Sequence, residues 1–313
     1  MPDTTTIQPL VSVALCTYNG AKFIQAQLDS ILQQTWNNLE IIISDDGSVD
    51  ETKAIIDEYS QQDNRIRFFQ NQSNLGYNKN FEMAFSHCTG ELIAISDQDD
   101  IWEKDKIEIM MKNWPAGSLF VYSLSGNFMD NDFDGRTEAP NVRYTNIDNI
   151  LKLVFNSPVH GHACMFKKEL LNRCLPFPEN IFYDWWMSMH AAATGVVGCI
   201  PQTLTWHRTH SANFSRTLMN IEDREKKDKQ LKEQMIHFIE TFYQSTTAAA
   251  EQRKLLKQYA GILKEMNGRK FSSRMFGYVL RNRKLIFHYK KRKALLFLSE
   301  IKHAWRMARR GLL

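Results

Sequence analysis

Four short apolar runs separated by helical stretches constrain this chain more than any other feature. Residues 11–16, 39–43, 66–69 and 92–95 read as strands bounded by turn-forming residues. Between the first two, residues 21–34 place Phe23, Leu28, Ile31 and Leu32 at helical spacing, and residues 50–60 and 78–87 also read as helices. Strands alternating with helices through short connections imply a mostly parallel sheet covered on both faces. Such sheets bind their ligands at the C-terminal tips of their strands.

Those tips carry the chemistry. The run at 92–95 leads into Asp97-Gln98-Asp99-Asp100 and then Ile101-Trp102. Three carboxylates this close repel one another unless water or a cation compensates them. Hard oxygen ligands suit Mg²⁺ or Mn²⁺, which usually take one or two carboxylates together with substrate phosphates. The competing reading is an acidic turn that starts a helix over residues 103–114. The first strand ends in Thr17-Tyr18-Asn19-Gly20 and the second in Ser44-Asp45-Asp46-Gly47-Ser48. Carboxylates there can accept hydrogen bonds from a pyrimidine N–H or from ribose hydroxyls, although Asp-Gly and Asn-Gly also make tight turns on their own account. Gly20 and Gly47 read as structural. Neither GxGxxG nor GxxxxGK[ST] follows the first strand, which removes the main support for dinucleotide or P-loop chemistry.

Charge divides the chain. Residues 215–313 hold 24 Lys and Arg against 9 Asp and Glu, whereas residues 1–214 hold 15 against 26. The C-terminal part reads as helical, with a charged amphipathic helix over 221–243 and another over 251–266. From 269 to 310 there are 14 basic residues and one acid, interleaved with bulky apolar side chains. That mixture fits a helix lying on an anionic lipid surface; a packed helical hairpin with a solvated basic face is the alternative. Nucleic-acid binding has no supporting module. The five cysteines are scattered without CxxC spacing, the N-terminal residues lack a signal-peptide layout, and no apolar run reaches the length of a membrane span. A cytoplasmic protein with free thiols, peripheral on the inner face of a membrane, is expected.

The motifs Thr17-Tyr18-Asn19-Gly20, Ser44-Asp45-Asp46-Gly47-Ser48-Val49-Asp50, Asn74-Leu75-Gly76 and Ser96-Asp97-Gln98-Asp99-Asp100-Ile101-Trp102 occur in the order seen in family-2 glycosyltransferases, which the chain resembles. The resemblance is dense over residues 9–115 and sparser to about 216. With Asp184-Trp185-Trp186, the wording is most similar to the rhamnosyltransferase-like branch. It implies an α/β GT-A fold over residues 1–216, with a nucleotide-sugar-binding half (1–115) and an acceptor half (116–216). A basic helical region would follow over 217–313.

The resemblance also implies roles. Thr17, Tyr18, Asn19, one of Asp45 and Asp46, and Asn80 would contact the donor. Asp99 would ligate the metal, and Asp97 would serve as a ribose-side or water-mediated partner, while Asp100 could equally cap the next helix. Asp184 would deprotonate the acceptor, its capping role at a helix start standing as the alternative. Tyr183 stands where an acid or His is common. Trp185 and Trp186 would stack on sugar, one of the two being core. His160 and His162 of His160-Gly161-His162 would lie on one face of an acceptor-lining strand; a metal pair is conceivable there, but no third ligand is evident. In Trp206-His207-Arg208-Thr209-His210, His210 rather than His207 would reach the metal or diphosphate, followed by Asn213, and Arg208 would help neutralise phosphate. Asp130, Asp132, Asp134 and Gly135 look like the start of a calcium loop but lack its flanking helices and closing Glu, so a surface hairpin is the better reading.

An inverting, metal-dependent glycosyltransferase is therefore expected, using Mn²⁺ or Mg²⁺ and a dTDP- or UDP-sugar, with rhamnose the sugar that the wording suggests and a saccharide or lipid-linked saccharide as acceptor. A catalytically silent nucleotide-sugar-binding or scaffold protein of the same fold is the alternative.

Overall fold

The computed structural model describes residues 8–210, 224–266, 270–291 and 296–311. The chain forms two compact units: Met1–Pro140 with Val159–Met187 and Gly198–His210, and Asn141–Pro158 with Ser188–Val197 and Ser211–Leu313.

The first unit is built on β1 (Val11–Thr17), β2 (Leu39–Asp45), β3 (Ile66–Gln70) and β4 (Leu92–Ser96), joined by helices α1 (Ile24–Leu32), α2 (Thr52–Gln62) and α3 (Tyr77–His87). These strands pair in parallel in the order β3-β2-β1-β4. Every residue of β1 and β4 is buried, which is why their sequences are near-continuous apolar runs, interrupted inside β1 by Ser12, rather than alternating ones. Each fully buried Ile or Leu contributes about 1.5–3 kcal/mol of transfer free energy. In α3, Phe81, Ala84 and Phe85 bury one face at helical spacing.

Beyond β4 the sheet becomes antiparallel. A two-residue strand β5 (Ile101–Trp102), helix α4 (Lys106–Lys112), β6 (Phe120–Met129) and β7 (Asp132–Thr137) follow, then α5 (Ile150–Phe155), β8 (Cys164–Lys167), α6 (Leu171–Cys174), α7 (Tyr183–Thr194) and β9 (Val197–Thr209). The sheet runs β3-β2-β1-β4-β8-β6-β9-β5, with β7 added on β6. The sequence places a helix over 103–114, but it starts only at Lys106, because Ile101 and Trp102 pair with Trp206 and Thr205 of β9. Residues 127–137 form a β6–β7 hairpin turning at Asp130, and Asp132 accepts a hydrogen bond from the Gly135 N–H within it. The acidic run is thus a hairpin, as its missing helices suggest.

In the second unit, α5 is followed by α8 (Arg224–Ser245), α9 (Ala250–Glu265), α10 (Ser273–Arg281), α11 (Arg283–Ile286) and α12 (Leu296–Arg310). They enclose a core of their own. Tyr259 lies 4.6 Å ring to ring from Phe155 and 5.8 Å from Tyr278. Leu256, Leu263, Met275, Val279, Ile286, Ala304 and Met307 are buried around them. No helix among the described residues is long and apolar enough to cross a membrane. All five cysteines are free thiols.

Candidate active site

The loop after β4 puts its three carboxylates into different surroundings. Asp97 is partly exposed, with Oδ2 3.7 Å from His162 Nδ1. Asp99 Oδ2 lies 2.8 Å from His210 Nε2. Burial raises the Asp99 pKa and the charges of Asp100 and Asp97 add to this, against the lowering effect of the His210 contact. Asp100 is fully buried. It accepts from the Arg208 N–H at 3.2 Å, and its Oδ1 lies 3.0 Å from His207 Nδ1. A helix cap is therefore not its role.

Burial alone would raise Asp100, but the charges of His162 and His207, with the hydrogen bonds from His207 and Arg208, hold it down at about 2. Conversely, burial would lower His207, yet its hydrogen bond to Asp100 and the charges of Asp100, Asp99 and Asp97 raise it to about 9. Asp100 and His207 thus favour each other's charged forms. The His162 and His207 rings stack in parallel at 4.9 Å.

Asp100, His162 and His207 place one ligand atom each within 4.8 Å of one another. Asp100 Oδ2 is buried and makes no hydrogen bond among the described residues. A carboxylate oxygen without a hydrogen bond beside two imidazoles fits a divalent cation once His207 gives up its proton to the incoming metal, and this mixed donor set favours Mn²⁺ over Mg²⁺. Of the HxH pair, His162 enters this group with Asp100 and His207 from across the fold, and His160 does not.

His160 and His162 do not sit on a strand. Residues Gly161–Ala163 form a single 3₁₀ turn and β8 begins only at Cys164. The reason is local crowding. A Cβ on Gly161 would lie 2.3 Å from Tyr183 Oη and 3.1 Å from its Cζ, so only glycine lets the chain pass the start of α7 here. His160 is exposed, whereas His162 is buried with Nε2 2.9 Å from Ser125 Oγ. The turn is held from behind by Lys106, fully buried, which donates to the His162 carbonyl at 2.8 Å and lies 3.6 Å above the Trp102 ring. Burial lowers Lys106 to about 7, partly resisted by Asp100.

The same turn reaches Asp184. The Gly161 N–H donates to Asp184 Oδ2 at 3.0 Å, and the Trp185 N–H donates to Oδ1 at 2.7 Å. Desolvation raises the Asp184 pKa above the ordinary carboxylate range, with Asp97 adding to it, against the two backbone hydrogen bonds. Of the adjacent indoles, Trp186 is buried and donates to the Cys174 carbonyl at 3.0 Å, so it is the core member of the pair; Trp185 is half-buried.

At the other strand tips the polar groups hold loops together. Asp45 accepts from Thr17 Oγ1 at 2.7 Å, Ser48 N at 2.9 Å and Gln70 Nε2 at 3.0 Å. Asp46 accepts from Asn71 Nδ2 at 3.0 Å, Leu75 N at 2.8 Å and Gly76 N at 2.9 Å. Gly47 has φ +78°, the left-handed conformation a turn needs. Asn80 is buried, linking the Ser44 side chain and carbonyl to Asn71. Asn19 bonds the loop after β2 through Ser48 and Val49, and Tyr18 is exposed. Gln98, the one uncharged residue of the acidic motif, pairs with both backbone groups of Tyr18, at 2.9 and 3.1 Å. Arg208 is buried, stacked on Phe23 and Phe128, and its guanidinium binds the Asp99 and Asp130 carbonyls and Asn131 Oδ1. It ties the β6–β7 hairpin to the carboxylate loop. Asn213, expected after His210, lies outside the described residues.

Comparison with known proteins agrees with this architecture. The sequence profile of Glycosyl transferase family 2 matches residues 12–175. An uncharacterized glycosyltransferase of Haemophilus influenzae is 26% identical over 247 residues, 74% of this chain and 75% of that one. The UDP-Glc:alpha-D-GlcNAc-diphosphoundecaprenol beta-1,3-glucosyltransferase WfgD of Escherichia coli is 30% identical over 182 residues, 58% of this chain and 69% of that one. Among solved structures, S. aureus TarS 1-349 in complex with UDP-GlcNAc superposes with TM-score 0.62 at 14% identity, covering 97% of this chain and 92% of that one. The mannosyltransferase PcManGT of Pyrobaculum calidifontis in complex with GDP-Man and Mn²⁺ gives 0.58 at 16% identity, covering 96% and 81%. The fold is GT-A, and the chain belongs to glycosyl transferase family 2.

Proposed function

We propose that the protein is an inverting, metal-dependent glycosyltransferase that moves a sugar from a nucleoside diphosphate to an acceptor hydroxyl. One observation carries this reading. The turn Gly161–Ala163 binds the carboxylate of Asp184 through its first N–H, and its His162 ring faces both Asp97 and Asp100. A candidate base and the strand-tip carboxylates thus share one wall.

Asp184 takes the proton of the acceptor hydroxyl as that oxygen attacks the anomeric carbon opposite the leaving nucleotide. Its desolvated site keeps it basic enough to do so, and the Gly161 and Trp185 N–H groups fix its orientation. Asp99 and His210, with Asp97 beside them, would hold a divalent cation; Asp100, His162 and His207 form the adjoining donor set. Such a cation neutralises charge on a departing diphosphate. Arg208 adds positive charge from its buried position. Thr17 to Asn19, Asp45 or Asp46, and Asn80 shape the nucleotide side, where their bonds preform the loops and leave Tyr18 exposed for contact. His160 and Trp185 line the acceptor side, with His162 and Trp186 supporting them from within.

A UDP-linked donor is supported by the uridine nucleotides in the names of WfgD and of the TarS complex, and a dTDP-linked donor carrying rhamnose by the motif wording. A lipid-linked saccharide acceptor is supported by the diphosphoundecaprenol acceptor of WfgD. The basic residues of 269–313 would bring the enzyme to an anionic membrane surface where such an acceptor resides. The test is nucleotide release across UDP-, dTDP- and GDP-sugars with and without Mn²⁺. Metal-dependent release from one of them is expected, and turnover undiminished by EDTA overturns the metal.

A further inference from the structure

Helix α12 has two apolar faces. On one, Ala304, Met307 and Ala308 are fully buried in the second unit. On the adjoining face Leu298 and Trp305 are 57% and 52% exposed, and Phe297, in the first turn of the helix, is 56% exposed. With 3.6 residues per turn, Leu298 and Trp305 fall on one line, flanked by Ile301 and Phe297. Phe271, 43% exposed, extends the patch: its ring lies 4.6 Å from Trp305, which also meets Phe276 edge-on at 6.4 Å. Single exposed apolar residues are ordinary, but contiguous aromatic ones mark a contact surface.

Its rim is cationic. Lys302, Arg306 and Arg309 are exposed on α12 beside the apolar stripe, and none of the three makes an ion pair among the described residues. The acids nearby are spoken for. Glu300 is buried and lies 3.5 Å from Arg283, and Glu265 pairs with Arg274. A second copy of the chain seated on this face would bring these cations against their own kind, whereas an anionic bilayer offers phosphates for the rim and a hydrocarbon boundary for the rings.

We propose that the outer face of α12, bearing Phe297, Leu298 and Trp305 with Phe271 beside it, lies in the interface of an anionic membrane, with Lys302, Arg306 and Arg309 at the headgroup phosphates. This rests on the membrane reading of the basic C-terminal region and gives that region an orientation. The test is flotation of the full-length protein with vesicles of phosphatidylglycerol and phosphatidylcholine, against phosphatidylcholine alone. Wild type should bind the anionic vesicles, and rising salt should weaken but not abolish binding. Replacing Lys302, Arg306 and Arg309 by Gln should cost about fivefold each in partition. Phe297→Ser with Trp305→Ser should remove the salt-resistant part, at about tenfold or more per ring.

Trp305→Phe keeps an apolar ring; it should still bind, yet lose the fluorescence quenched by brominated acyl chains. That measurement stands even where the double variant fails to fold. Wild type ignoring anionic vesicles would overturn the membrane reading itself. Wild-type binding with quenching unchanged by Trp305→Phe would overturn this face alone, as would an oligomer that Trp305→Ser converts to monomer in light scattering.

Discussion

Asp184→Asn separates the proposed base from its structural surroundings. The carboxylate accepts two backbone N–H groups, one on each oxygen. An amide keeps one acceptor and turns an NH₂ toward the other donor, so one hydrogen bond is lost and one N–H is left unpaired. That costs about 1–3 kcal/mol, offset in part because a desolvated charge is also removed. Against the 5–15 kcal/mol typical of folded domains the variant stays folded. The catalytic effect is larger. General-base catalysis contributes roughly a hundred- to ten-thousandfold, equivalent to about 2.7–5.4 kcal/mol of barrier. The assay is initial-rate transfer at saturating donor and acceptor, with a melting curve on the same preparation. A rate lowered by at least about a hundredfold, with the donor KM nearly unchanged, is expected. The pH profile adds a second reading. Asp184 must be ionised to accept a proton and its pKa is raised, so wild-type kcat should fall on the acid side above the usual carboxylate range, a limb absent in the variant. Transfer within a few-fold of wild type would place the base elsewhere.

Asp99→Asn, which removes a charged ligand while keeping the shape, should abolish metal-dependent nucleotide binding by calorimetry without lowering the melting temperature appreciably; Mn²⁺-dependent binding that persists would remove Asp99 from the metal set. Gly161→Ala must push the buried Tyr183 ring or the turn aside, so it should cost on the order of 1–3 kcal/mol of stability and lower turnover together, and a variant neutral in both refutes the close approach. For Lys106, the folded-state pKa of about 7 lies below the unfolded value of about 10.4. Between these pH values the unfolded chain binds the proton and the folded one does not, so wild-type stability rises with pH across that window. Lys106→Met lacks this slope, and its stability relative to wild type should fall as pH rises from 7 to 9 in urea titrations; a constant difference would show that Lys106 stays charged.

What the sequence made legible was what local chemistry dictates. Runs at 11–16, 39–43 and 92–95 were readable as parallel strands because burial on both faces demands near-continuous apolar residues, Ser12 and Glu40 being the polar exceptions. Asp97 and Asp99 were readable because they follow such a run directly. Asp45-Asp46-Gly47 was readable as a turn, and its carboxylates do close loops. The 3₁₀ turn at Gly161 was not, since period-two spacing assumes an extended chain and the obstacle, Tyr183, stands 22 residues away. Nor was the pairing of Asp100 with His207, 107 residues on. Lys106 gave no signal, because its alkyl stem fits a helix face that buries Ile107 and Met110.

The buried third carboxylate explains how the histidines are divided. Asp97 and Asp99 reach the surface in part, but Asp100 does not, and an unpaired carboxylate in such a place would cost several kcal/mol. Two imidazoles and the Arg208 N–H meet that demand. His207 is thereby committed to Asp100, and His210, three residues on and just past the end of β9, is left for Asp99. His162 is drawn into the same cluster and anchored by Ser125 and Lys106, so it forms the wall between the carboxylates and Asp184. Of the residues expected on the acceptor side, His160 and Trp185 retain surface with which to meet a sugar. Substituting His160 should therefore raise the acceptor KM, whereas substituting His162 should disturb donor, metal and base together.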